Sequence, residues 1–139
     1  MIGDKIRYRK RKYKYQLHED YSVDIGLKDM TCAGGFFILK TDGVLLIIAG
    51  YAWDGPSGPT FDTKDFMRGS LVHDVLYQAI RMGILPRDYK DYADMTLHNI
   101  CMEDGMSPVR AAYVYEAVHL FASSSCVPGT DVTEIMEAP

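Results

Sequence analysis

The sequence predicts an α+β protein: a small N-terminal antiparallel sheet followed by three helices, the first two antiparallel. Three observations predict it. Apolar and polar residues alternate with period two in the first half of the chain. After about residue 62 the apolar positions recur with helical spacing. Asp42-Gly43 stands between two apolar runs, and that dipeptide marks a hairpin turn.

Taken in order, residues 5–16 interleave cations with Tyr8, Tyr13 and Tyr15. Tyrosine favours strands and charge suits an exposed edge, so this segment reads as a basic arm or edge strand. Tyr21-Ser22-Val23-Asp24-Ile25 alternates with period two. Phe36–Lys40 and Val44–Tyr51 flank the Asp-Gly turn as hairpin strands. Residues 50–59, rich in Gly and Pro, form a loop just before the first helix. Asp62 is the expected N-cap of that helix, with Asp65 favoured by the helix dipole. The helix runs to about Met82 and stops at Gly83. Pro86 opens a second helix over roughly 87–103. Ser107-Pro108 caps a third, over about 108–122, with proline in the first turn. Val127-Pro128-Gly129 then breaks the chain, and 127–139 reads as a loosely held tail.

A chain of 139 residues is most simply one domain. Its 47% apolar content supports a core, and no apolar run approaches the ~20 residues of a spanning helix. The N-terminus shows no apolar stretch of the kind a secretory signal needs. Cys32, Cys101 and Cys126 lie far apart, in odd number and without CxxC spacing, which argues against a disulfide framework and for a reducing compartment. The net charge of −4 conceals an asymmetry: residues 1–14 hold seven of the fifteen basic residues and one acid. The expected partners of this arm are the acidic body of the same or another copy, other proteins, or an anionic surface or nucleic acid.

The chemistry concentrates in His73-Asp74-Val75-Leu76-Tyr77 and Asp94. Positions three, four and seven apart share a helix face, so Phe66, His73, Tyr77 and Ile80 stack, while Asp74 lies about 100° round. An antiparallel second helix brings Asp94 level with His73 or Tyr77, with Asp91 as its rival. An imidazole with a carboxylate behind it can take a proton from water at neutral pH. On this reading His73 is the base, Asp94 its partner and Tyr77 the support. Asp74, with backbone oxygens of Trp53, Gly55 and Ser57, could hold a hard cation such as calcium, which takes oxygen ligands. Asp54 completes the loop wall of the site. The competing reading is a buried polar cluster that only ties helix to loop. His18, His98 and His119 read as ordinary, although His98 could instead pair with Asp94 four residues earlier.

Gly50-Tyr51-Ala52-Trp53-Asp54-Gly55-Pro56-Ser57, then Ser70–Tyr77, then Arg87 with Asp91 or Asp94, resemble a phage-associated family, domain of unknown function 1353. That resemblance covers over half the chain. It implies a bacteriophage or prophage origin, with the host cytoplasm or the virion as location, and carries no established activity. His-Asp-x-x-Tyr, continued through Gly83, Pro86, Tyr92 and Ala93-Asp94, is also similar to the active-site helix of phospholipase A2, in the disulfide-free form carried by some viral capsid proteins. It implies His73 as base, Asp74 as calcium ligand, Tyr77 as support and Asp94 as dyad partner. The chain departs from that pattern at its calcium loop, which here reads Trp53–Gly58, and at Met67, where viral forms carry an acid. The expected function is therefore a phage-encoded hydrolase, with a phage structural or accessory protein as the alternative. A metal-dependent His-Asp phosphohydrolase needs a further upstream histidine on a helix, and only His18, in strand-like sequence, stands upstream.

Overall fold

The structure is a computed structural model that describes residues 6, 8–10, 15–53 and 63–121, with the backbone alone at 8–10 and 121. The chain divides into two compact units, with the boundary after Asp54. The described order is β1 (Tyr8–Lys10), β2 (Tyr15–Leu17), β3 (Tyr21–Asp24), β4 (Cys32–Ala33), β5 (Phe37–Leu39), β6 (Val44–Ile47), β7 (Ala52–Trp53), α1 (Lys64–Arg81), α2 (Lys90–Glu103) and α3 (Pro108–Phe121). A single 3₁₀ turn, Arg87–Tyr89, precedes α2. The architecture is α+β, with strands first and helices after.

The N-terminal unit holds two antiparallel sheets where the sequence reading expected one. The first has the order β1-β2-β7, which places the basic segment Tyr8–Lys10 at a sheet edge. The second has the order β3-β6-β5-β4. Its centre is β6, with Leu45 and Ile47 fully buried and Val44 and Leu46 half-buried. The β5–β6 hairpin sets Leu39 opposite Leu45 and Phe37 opposite Ile47. Its turn depends on Gly43 at φ +89°, where a Cβ would also meet Asp24 Oδ1 and the Gly26 backbone at 3.2 Å. The expected strand Val44–Tyr51 is broken. Gly50 adopts φ 95° and turns the chain so that Tyr51 O accepts from Leu17 N, and Ala52-Trp53 joins the other sheet. Sequence reading missed β4, since two residues are too few to show a period.

The C-terminal unit is helical. Thr63 occupies the cap position of α1, and the expected cap Asp62 lies outside the described residues. Thr63 Oγ1 donates to Asp65 Oδ1, and Arg110 Nη1 donates to both Thr63 Oγ1 (2.9 Å) and Asp65 Oδ1 (3.1 Å), which ties the start of α1 to α3. At the other end Gly83, φ +74°, ends the helix, with Gly83 N donating to Ile80 O and Ile84 N to Ala79 O. Ser107 Oγ accepts from Arg110 N at 3.2 Å, the N-cap that the sequence predicts for α3.

Helices α1 and α2 are antiparallel: Arg68 pairs with Glu103 and Asp104, while His73 and Tyr77 meet Asp94, so numbers rise along one helix as they fall along the other. Gly69 lets them close, since a Cβ there would lie 2.9 Å from Leu97 Cδ1 and 3.0 Å from Cys101 Sγ. Around this contact Phe66, Leu97, Cys101, Met106, Ala111 and Val114 form a buried apolar cluster of the helical unit. No helix among the described residues is long and apolar enough to cross a membrane.

Candidate functional site

His73 and Tyr77 lie one turn apart on α1, and their rings approach to 3.9 Å between centroids. The short link after Gly83 folds α2 back against them and delivers Asp94, whose side chain has no solvent exposure. Asp94 Oδ1 accepts from His73 Nε2 at 2.8 Å and from Tyr77 Oη at 2.5 Å. Its other oxygen, Oδ2, accepts from Lys90 Nζ at 2.8 Å. Three donors thus converge on one buried carboxylate, which is how a protein keeps such a group charged.

The electrostatics follow. Burial alone would raise the Asp94 pKa, but the hydrogen bonds from His73, Lys90 and Tyr77 outweigh it and bring it down from 3.8 to about 2. His73 moves the other way from a cation's usual gain. Burial lowers its pKa below 6.5 and outweighs the help of Asp94. At neutral pH the pair is therefore an ionised Asp94 and a neutral His73. An ionised carboxylate accepts only, so Nε2 must carry the proton, and the lone pair is left on Nδ1.

Of the residues expected at the site, His73, Tyr77 and Asp94 come together. Asp94, not Asp91, is the partner of His73: Asp91 is exposed on the same helix and faces His119 Nδ1 at 3.5 Å. The alternative pairing with His98 is not adopted, since His98 Nδ1 lies 3.1 Å from Asn99 Oδ1. Asp74 is half-buried, one step round α1. Asp54, Gly55 and Ser57 fall outside the described residues, as does the expected packing of that loop on His73. Trp53 belongs to the N-terminal unit, where its ring lies 5.7 Å from that of Tyr15.

Two residues escaped the sequence reading. Lys90 stands four before Asp94, an i,i+4 spacing that was visible but reads as a surface pair. His119, set aside as ordinary, brings Nδ1 to 3.6 Å from Asp94 Oδ2 as well as to Asp91. Its approach from α3 depends on tertiary packing and leaves no local signal. Asp91, Asp94 and His119 form a group that could hold a metal ion. A separate open groove of about 660 Å³ on the N-terminal unit, lined by Thr31, Cys32, Ile38 and Asp42 among others, includes none of these residues.

No family model, curated protein or solved structure matches the chain, so its own geometry carries the functional reading.

Proposed function

We propose that this protein is a hydrolase in which His73 activates water and Asp94 holds it in the working tautomer. The observation that carries the reading is the 2.8 Å bond from His73 Nε2 to an Asp94 carboxylate that is buried and ionised. It leaves Nδ1 as a neutral acceptor at physiological pH. Nδ1 takes a proton from water as the oxygen attacks an ester or amide carbonyl. Asp94 stabilises the imidazolium that forms, and the same proton then passes to the leaving group. Tyr77 and Lys90 hold the carboxylate in place, so the dyad is oriented before any substrate arrives.

A phospholipid ester is the most concrete substrate, because His73, Asp74 and Tyr77 on α1, with Asp94 on α2, resemble the active-site residues of phospholipase A2. Calcium enters only through the same resemblance, which implies Asp74 as a ligand. The metal-capable group seen here includes a histidine nitrogen instead, and calcium prefers an all-oxygen shell. No step of the mechanism above passes through calcium. A phage or prophage origin, with the host envelope as target, extends the reading.

A second reading has its own support. The His73 side chain is only 7% exposed and Asp94 is not exposed at all. Such a cluster can serve as a polar tie between α1 and α2 in a phage structural or accessory protein. Fatty-acid release from mixed phospholipid vesicles, with and without calcium, separates the two when set beside melting temperature. For a hydrolase, His73→Ala removes about 10²–10⁴-fold of activity and leaves the fold in place. For a structural tie, the wild type releases nothing in either condition and His73→Ala lowers the melting temperature.

A further inference from the structure

We propose that Asp91, Asp94 and His119 bind a divalent transition-metal ion, with zinc the best fit. Asp91 and Asp94 are three residues apart on α2 and so share a face, and α3 supplies His119 opposite them. The three ligand atoms all lie within 4.8 Å of one another.

The spacing is longer than a hydrogen bond and fits an ion held between the groups. His119 Nδ1 stands 3.5 Å from Asp91 Oδ1 and 3.6 Å from Asp94 Oδ2. A charge-assisted hydrogen bond would close to about 2.7–2.9 Å. Ligands bonded at about 2.1 Å to a tetrahedral ion are roughly 3.4 Å apart, close to the spacing seen. His119 Nδ1 is itself buried and makes no hydrogen bond, although two acceptors are near. A ring nitrogen kept from water, aimed between two carboxylates and bonded to neither has the disposition of a ligand. The Tyr115 ring stacks on His119 at 5.6 Å and 11°, which fixes the plane in which Nδ1 points.

Chemistry selects the class of ion. One imidazole and two carboxylates suit zinc or a neighbouring first-row metal, and calcium and magnesium favour oxygen alone. Three protein ligands leave the fourth position to water, on the side where Asp91 is 75% exposed. Lys90 also bonds Asp94 Oδ2, but a carboxylate oxygen has two lone pairs and can serve both. Asp94 would then join the ion on one oxygen to His73 on the other. This site goes beyond the hydrolase reading and does not depend on it, because its test reads binding alone.

The test titrates the full chain, first stripped with a chelator, with zinc by calorimetry and with cobalt by visible absorption. One ion should bind per chain, and cobalt should give the intense d–d bands of a four-coordinate N/O site. His119→Ala and Asp91→Asn should each weaken zinc by about tenfold or more, while His98→Ala keeps the wild-type affinity. Asp91→Asn changes one atom of an exposed side chain, so it carries the test even if His119→Ala folds poorly. The proposal is overturned if the wild type shows no saturable micromolar binding. Binding that survives Asp91→Asn unchanged, or that shows a thiolate-to-cobalt band, overturns it as well.

Discussion

The two ends of the α1–α2 helix pair differ in what lies between the helices. At one end Phe66, Leu97 and Cys101 pack with Gly69, and the ion pairs there, Arg68 with Glu103 and Asp104, keep their carboxylates partly exposed. A turn or two along, His73, Tyr77 and Lys90 surround Asp94, and each bond there requires a defined donor, acceptor and charge. Apolar packing stabilises wherever volume is filled. A buried carboxylate stabilises only while its partners stay in place, and an apolar replacement of the whole network could serve the fold as well. The contrast singles out the polar end as the one whose residues must keep their partners.

The largest expected effect breaks the polar end. Asp94→Ala leaves three buried donors without their acceptor and should cost about 3–5 kcal/mol in urea unfolding. A loss below about 1 kcal/mol would mean that the carboxylate does not organise this end. Next comes acid, with a chelator present. The folded His73 resists protonation, so stability falls once pH drops below 6.5, where the unfolded chain takes up that proton. The stability carried by ionised Asp94 is full above 3.8 and is lost as pH falls toward 2, by about 2 kcal/mol. In an Asp94→Ala background the lower of these two windows should go flat.

The apolar end should respond less. Gly69→Ala adds a methyl group 2.9 Å from Leu97 Cδ1, which must give way. Overpacking costs roughly 1–3 kcal/mol and the better helix former returns up to about 1, so a net loss of about 1 kcal/mol is expected in thermal unfolding. Stabilisation instead would show that the helices can part there without penalty.

The same contrast explains what was legible. Local signals carried the frame: Asp42-Gly43 for the hairpin, Gly83 for the end of α1, Ser107-Pro108 for the start of α3. Each acts through its own backbone and needs no knowledge of the rest of the fold. The short link makes an antiparallel return of α2 legible for the same reason, but it leaves Asp91 and Asp94 as rivals for His73, and only the packing of α2 chooses Asp94. Gly50 reads in sequence as the start of a loop and not as the turn that divides the strands between two sheets, because that turn shows only in the partner that Tyr51 finds on β2. The role of Lys90 depends on the burial of its partner Asp94, and that of His119 on the docking of α3 beside α2; neither is encoded in the spacing of the chain.

The proposed chemistry depends on the protonation state of the His73 ring. Nitrogen-15 NMR of the His73 imidazole at pH 7 reads that state directly, without knowledge of any substrate. The expected result is a neutral ring protonated at Nε2, with Nδ1 unprotonated and the signal moving to that of imidazolium only below pH 6.5. An imidazolium at pH 7, or a neutral ring carrying its proton on Nδ1, would contradict it.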